Sequence, residues 1–193
     1  MSSPSTPSLL EAAIKDIVEA ARHRQPLDSV RTVLREYTER FHALGKLVDE
    51  RAQDEVLLHA SPHLTIYHIT LSAGVQYPPH NHLMHALVGI YRGAEANLTY
   101  SVHEGRVGSA TRQDICAPAV VHMEPDTVHA VANMGRTRSG ALHVYLGNLP
   151  GKRRQLWSPD STGAEPFDNE RYLAGARPLK APPGGDGGRA TTG

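Results

Sequence analysis

The chain has 193 residues, with 20 Lys and Arg balanced by 20 Asp and Glu, and a single cysteine, Cys116. Zero net charge and the lack of a Lys/Arg run that suggests a phosphate-tracking surface argue against a nucleic-acid partner. One cysteine excludes an intrachain disulfide, and no apolar stretch nears the roughly 20 residues a bilayer crossing needs.

Residues 1–7 are Ser/Pro/Thr-rich, lack the apolar core of a signal peptide and read as mobile. The expectation is a soluble, cytoplasmic protein that does not engage membranes. Ser8-Leu9-Leu10-Glu11 reads as a capping box, and Ile14, Ile17, Val18 and Ala21 follow at helical spacing. Pro26 is read as breaking that helix. Asp28 or Ser29 is the expected cap of a second one, with Val30, Val33, Leu34, Tyr37, Phe41 and Leu44 on one stripe and Gly45 at its end. Two amphipathic helices cannot bury both stripes on each other alone. They are expected to pack on the following domain, or on a second copy of the chain as a homo-oligomer.

From Val56 the pattern changes to short β-like runs: 56–59, 64–71, 87–91, 96–102, 114–117, 128–131 and 141–146, with Gly, Asn or Pro between them. Short strands with regular turn signals predict an all-β sandwich or barrel. The division read from this is a helical segment over 1–50, a barrel over 51–160 and an extension over 161–193. Trp157 and Phe167 are large aromatics expected to fold back onto the barrel, whereas residues 181–193 have no means of packing and read as disordered.

His80 and His82, after Pro78-Pro79 and before a run of β-formers, lie at i and i+2. In a strand both point to one side, which is what a divalent metal needs from its first two ligands. The pair alone is weak, because 12 histidines supply roughly 0.7 such pairs by chance. A third candidate, His129, opens a hydrophobic run in Pro125-x3-His129-x3-Asn133, a pattern with an expected count of only about 0.02. The bland reading, polar residues on strands, is set against metal ligation by three placed histidines. His85 falls on the opposite face of a regular strand and reads as a residue beside the site or in the core. His122 is assigned no role, and His59, His63, His68 and His103 read as surface or core residues.

Gly74-x5-His80-x-His82 with Gly93, followed by Pro125-x3-His129-x3-Asn133, resembles the two signature motifs of the cupin superfamily. The resemblance covers about residues 55–160 and implies a mainly β, double-stranded β-helix (jelly-roll) barrel with a metal inside. Most cupins carry a further glutamate ligand where this chain has Ala86. A three-histidine set is similar to the thiol dioxygenase branch, cysteine dioxygenase and its relatives. That branch continues with Ser-x-His-x-Tyr; here the strand reads Ala141-Leu142-His143-Val144-Tyr145. It keeps the histidine and tyrosine and lacks the serine.

The resemblance implies non-haem Fe(II) on His80, His82 and His129, Tyr145 facing the substrate, and His143 orienting it. The implied reaction adds both atoms of O2 to a small-molecule thiol, giving a sulfinate. The core-pair reading of His143 and Tyr145 stands beside this one. Cysteine dioxygenases hold the substrate carboxylate with an arginine upstream of the barrel, where this chain has Glu55, with Arg51 nearby. Arg153 or Arg154 is the expected carboxylate holder, as in mercaptopropionate-type enzymes. Asn97 and Tyr100 look like a recurring stretch of a bacterial subgroup, from which no chemistry follows. Two other classes stay open: a three-histidine dioxygenase cleaving a C–C bond of a diketone or enolate, and a non-catalytic cupin binding a metal or small ligand.

Overall fold

The computed structural model describes residues 8–45, 54–158 and 163–179. The expectations for residues 1–7 and 181–193, and for Arg51, lie outside the described residues. Helix α1 (Leu9–Ala20) opens on the capping box, the Glu11 amide donating to Ser8 Oγ and the Ser8 amide to the Glu11 carboxylate. Helix α2 (Pro26–Leu44) starts differently from expectation. Pro26 stands in its first turn and Gln25 is the cap, without a side-chain hydrogen bond. A first-turn proline gives up an amide that has no helical partner anyway, so Pro26 begins the second helix and Asp28 pairs with Arg31 instead of capping. Gly45 ends α2 at φ 67°, the left-handed conformation that a residue without Cβ adopts at least cost.

Two antiparallel sheets follow. The first contains β1 (Glu55–Ala60), β2 (Thr65–Leu71), β10 (Ser139–Tyr145), β5 (Ala86–Arg92) and β8 (Ala119–Met123), in that spatial order. The second runs β12 (Glu165–Pro166), β11 (Gln155–Leu156), β4 (His80–Asn81), β9 (Val128–Asn133), β3 (Val75–Gln76) and β13 (Arg177–Pro178). A hairpin of β6 (Ala94–His103) and β7 (Arg106–Cys116) joins it through β9. The sheets face one another and close into a mainly β jelly roll of the double-stranded β-helix kind, as expected.

The first sheet is buried on both faces, which is why β5 and β10 read as continuous apolar runs rather than alternations. Leu87, Tyr91, Leu142 and Val144 point outward and pack with Ile17, Leu34, Tyr37 and Phe41 of the helices. Ala86, Val88, Ile90, Ala141 and Tyr145 point inward with Met123 and Ile115. Most of both helical stripes is thus covered within the one chain, while Leu44 at the end of the α2 stripe stays exposed. The approach of α2 depends on Gly89, where an added Cβ would lie 2.3 Å from Thr38 Oγ1 and 3.0 Å from the Leu34 side chain. Gly93 ends β5 at φ 85°, with the Ser139 backbone 3.0 Å from where a Cβ would stand.

Besides several two-residue strands, the longer stretches outside the expected runs are β8 and all of β7 before Asp114. Most of β7 is exposed and polar, so it carries no buried face to set a period; its pairing with β6 holds it. β8 lies in a short segment between Pro118 and Pro125 and is recruited as the edge partner of β5. Among the described residues no helix is long and apolar enough to cross a membrane.

Candidate metal centre

Strand register assembles the site. β4 and β9 are antiparallel, and His80 stands directly opposite His129. Residues opposed in this way have their Cβ atoms about 5 Å apart, so the pairing alone brings two imidazoles together. His82 follows one residue beyond the end of β4 and returns to the same side. The ligand nitrogens of His80, His82 and His129 lie within 4.8 Å of one another, and the rings pack at centroid distances of 5.0, 4.6 and 5.0 Å. All three are buried, at 6%, 4% and 5% exposure.

The outer nitrogens are tied down. His80 Nδ1 lies 3.1 Å from the Pro78 carbonyl and His129 Nδ1 lies 2.7 Å from Asn97 Oδ1. Both contacts require Nδ1 to donate, which leaves the Nε2 lone pairs facing inward. His129 Nε2 is buried with no hydrogen-bond partner. An unpartnered buried acceptor costs about 1–3 kcal/mol, and a cation is the partner that three converging lone pairs suit. Burial holds His80 and His82 well below the usual imidazole pKa, with the His129 ring adding to the effect, and lowers His129 to about 4. Neutral imidazole is the ligating form, so the residues fit a divalent ion. Among the described residues no carboxylate joins the three ligand nitrogens, and Ala86 is fully buried in the apolar interior.

His143 and Tyr145 lie on the inward face of β10 and line the same cavity, which measures about 50 Å³. The Tyr145 ring stands 4.9 Å from that of His82, and its hydroxyl is 3.3 Å from His143 Nδ1. Burial raises the Tyr145 pKa and lowers that of His143 to about 3, so the phenol keeps its proton and the imidazole stays neutral. Ala141 shares this face but offers no hydroxyl to continue the chain of hydrogen bonds.

Of the two arginines, Arg154 lines this cavity, its guanidinium stacked 3.4 Å over the Phe167 ring. Arg153 is exposed and does not line it, because neighbouring residues on an extended segment point to opposite sides. Of the two expected carboxylate holders, Arg154 is therefore the one at this cavity, and Arg153 lies outside it. Glu55 also lines the cavity; burial raises its carboxyl pKa, and Arg154 and Asn169 partly offset this. Glu55, Arg154 and Phe167 stand at the neck between the inner cavity and an outer vestibule of about 930 Å³.

Several contributors were not anticipated. Asn97, from which no chemistry was read, orients His129. It sits diagonally across the β6–β9 pairing, since Thr99 is the residue opposite His129. The segment after the barrel returns over the mouth: Asp168 caps α3 (Asn169–Ala174), whose Tyr172 stacks on Tyr77 at 5.3 Å and meets the His80 ring at 4.9 Å. Phe167, flagged as a large aromatic, packs 6.0 Å from His80, and Trp157 is buried with its indole donating to the Gly105 carbonyl. Tyr172 carried no signal beyond its aromatic ring.

His85 does not adjoin the triad and packs against His122 outside the barrel. His68 is buried beneath the helices against Tyr91, while His63 and His103 are exposed. Cys116 is exposed at the end of β7, whereas Tyr145 is buried.

No protein-family model matches the chain, and no curated protein matches it. Among solved structures it is similar to an RmlC-like cupin family protein with a double-stranded β-helix fold from Methanocaldococcus jannaschii. That pair shares 20% identity over 54% of this chain and 90% of the other, with a TM-score of 0.42. It is also similar to the DMSP lyase DddQ of Ruegeria pomeroyi (19% identity, 60% of this chain, 57% of that one, TM-score 0.43). Oxalate decarboxylase of Bacillus subtilis is a third (18% identity, 46% of this chain, 22% of that one, TM-score 0.40). At these levels the chemistry of the neighbours does not carry over to this chain.

Proposed function

We propose that the protein is a thiol dioxygenase that uses Fe(II) held by His80, His82 and His129. The observation that carries this reading is a buried, all-imidazole triad with Tyr145, His143 and Arg154 lining the same small cavity. Three neutral ligands leave the charge of a divalent ion uncompensated, which favours an anionic substrate such as a thiolate. Fe(II) there would supply adjacent open positions for a thiolate and for O2, with the redox capacity to join them. The overall change, RSH + O2 to RSO2H, places both oxygen atoms on sulfur and needs no external reductant.

The chain's own residues hold and shield the substrate. Arg154, kept in place by its stacking on Phe167, takes the carboxylate of a mercapto acid entering from the vestibule. Glu55 on the same neck is complementary to an ammonium group, so a cysteine-like substrate is matched at both ends and a mercapto acid at one. With His143 in its Nδ1–H tautomer, the ring donates to the Tyr145 oxygen 3.3 Å away, and the phenol proton is left to donate to the anionic end of the substrate. Phe167, Tyr172 and Leu173 cover the mouth and limit water.

The test is O2 uptake by anaerobically iron-loaded protein with cysteine, cysteamine, a mercaptopropionate and a β-diketone, with products identified by mass. Stoichiometric sulfinate from a thiol is expected, with cysteine the best substrate. Uptake with the diketone alone, or none with any of the four, would overturn the reading.

A further inference from the structure

A second cluster of ligating side chains lies outside the barrel. His122 stands opposite Leu87 in the β5–β8 pairing and shares its outward side, two residues before Glu124; His85 precedes Leu87 by two and falls on that side as well. The three bring one ligand atom each to within 4.8 Å of the others. His85 Nδ1 is 3.1 Å from His122 Nε2 and 3.3 Å from a Glu124 carboxylate oxygen, while His122 Nδ1 is 3.7 Å from the other carboxylate oxygen.

One nitrogen facing both an imidazole nitrogen and a carboxylate oxygen has a single hydrogen, at most, to share between two contacts. The two contacts of His85 Nδ1, at 3.1 and 3.3 Å, match the ligand separations around a small tetrahedral ion, where bonds of about 2.0–2.1 Å put neighbouring donors roughly 3.3 Å apart; His122 offers one of its two nitrogens to the ion, within 4.8 Å of the Glu124 carboxylate. Two imidazoles and one carboxylate are the donor set of open zinc sites, with the fourth position left to solvent. Both histidines are half-buried, which limits the side-chain freedom a metal must freeze out, and Glu124 is exposed at the entry. Arg31 of α2 is the neighbouring cation; Asp28, paired with it at 3.1 Å, partly offsets its charge, and Glu124 is the stronger influence on His122. None of the three residues lines the barrel cavities.

We propose that His85, His122 and Glu124 form a second metal site, separate from the barrel triad, that takes one divalent ion of the zinc type. Bound there, the ion joins the entry of β5 to the end of β8. Nitrogen donors with one carboxylate favour Zn(II), Ni(II) or Cu(II) over Mg(II) or Ca(II).

The experiment is equilibrium dialysis of the full chain against micromolar Zn(II), with metal counted by elemental analysis. His129→Ala, which breaks the barrel triad, is expected to keep one zinc per chain, and adding Glu124→Gln is expected to remove it. Glu124→Gln and His122→Gln, both on the outer side, should each lower uptake of the parent protein by one equivalent while circular dichroism is unchanged. The proposal is overturned if neither outer variant lowers uptake, or if folded His129→Ala takes up no zinc. A failure of the barrel reading looks different: His129→Ala then binds as much metal as the parent while Glu124→Gln still loses one equivalent.

Discussion

Tyr145 is the side chain at which chemistry and architecture separate. Its ring packs against His82 and Tyr67, whereas its hydroxyl touches only the His143 side of the cavity. Tyr145→Phe keeps the ring, so metal content and thermal midpoint should stay near parent values. Loss of one donor aimed at a reacting anion commonly lowers turnover on the order of 10²-fold, to be read as initial rates with the best thiol at equal iron loading. Turnover at the parent rate would make Tyr145 a core residue. Asn97 acts one step further out, through His129. Asn97→Ala should weaken metal binding by about 10–100-fold in competition with a chelator, the usual cost of removing an acceptor behind a ligating histidine. Asn97→Asp restores an acceptor and should recover most of it. Equal affinity in all three proteins would show that the 2.7 Å contact does not orient His129.

The helices are bound to the barrel through small clearances. Over Gly89, α2 comes close enough that an added methyl meets Thr38, whose hydroxyl already bonds the Leu34 carbonyl inside the helix. Gly89→Ala therefore forces α2 outward or Thr38 out of its rotamer. Such overpacking costs about 1–3 kcal/mol, expected as a lowered urea midpoint with unchanged slope. The triad sits on β4 and β9 of the other sheet, so metal stoichiometry should be kept. An unchanged midpoint would mean that α2 is not seated on Gly89.

Across the whole molecule, burial of neutral histidines sets the response to acid. His68 and His129 are lowered to about 4 and His143 to about 3, in each case first by burial. Their unfolded value is near 6.5, so the unfolded chain binds protons first as pH falls. Folding stability from these groups is therefore full above about pH 6.5 and is lost as pH drops through the folded values. At about 1.4 kcal/mol per pKa unit, His68 alone contributes on the order of 3 kcal/mol. Glu95 opposes them: burial raises its carboxyl to about 7, so its folded-state cost is relieved as pH falls toward 4.5. With more buried histidines than buried carboxyls, the urea midpoint of metal-free protein should still fall between about pH 6.5 and 4, and His68→Gln should make that fall shallower. A midpoint flat across this range would show that the histidines are not buried neutral in the folded state.

Local patterning carried much of this protein. The period of 3.6 in the first 44 residues and the capping box marked the helices, and the short β-like runs separated by Gly, Asn or Pro marked a barrel. The spacing of His80, His82 and His129 between turn-forming Gly and Pro picked out the triad, because ligand geometry on one strand is a matter of residues two apart. Other features depended on contacts between distant segments. Asn97 reaches His129 through a β6–β9 register spanning 32 positions, and register follows from the whole sheet's packing rather than from any one strand. Arg154 rather than Arg153 enters the cavity because Phe167 supplies the surface it stacks on. Tyr172 and the outer cluster of His85, His122 and Glu124 arise in the same way. Tyr172 arrives only when the chain after the barrel folds back over its mouth, and the outer cluster forms only when β8 pairs with β5.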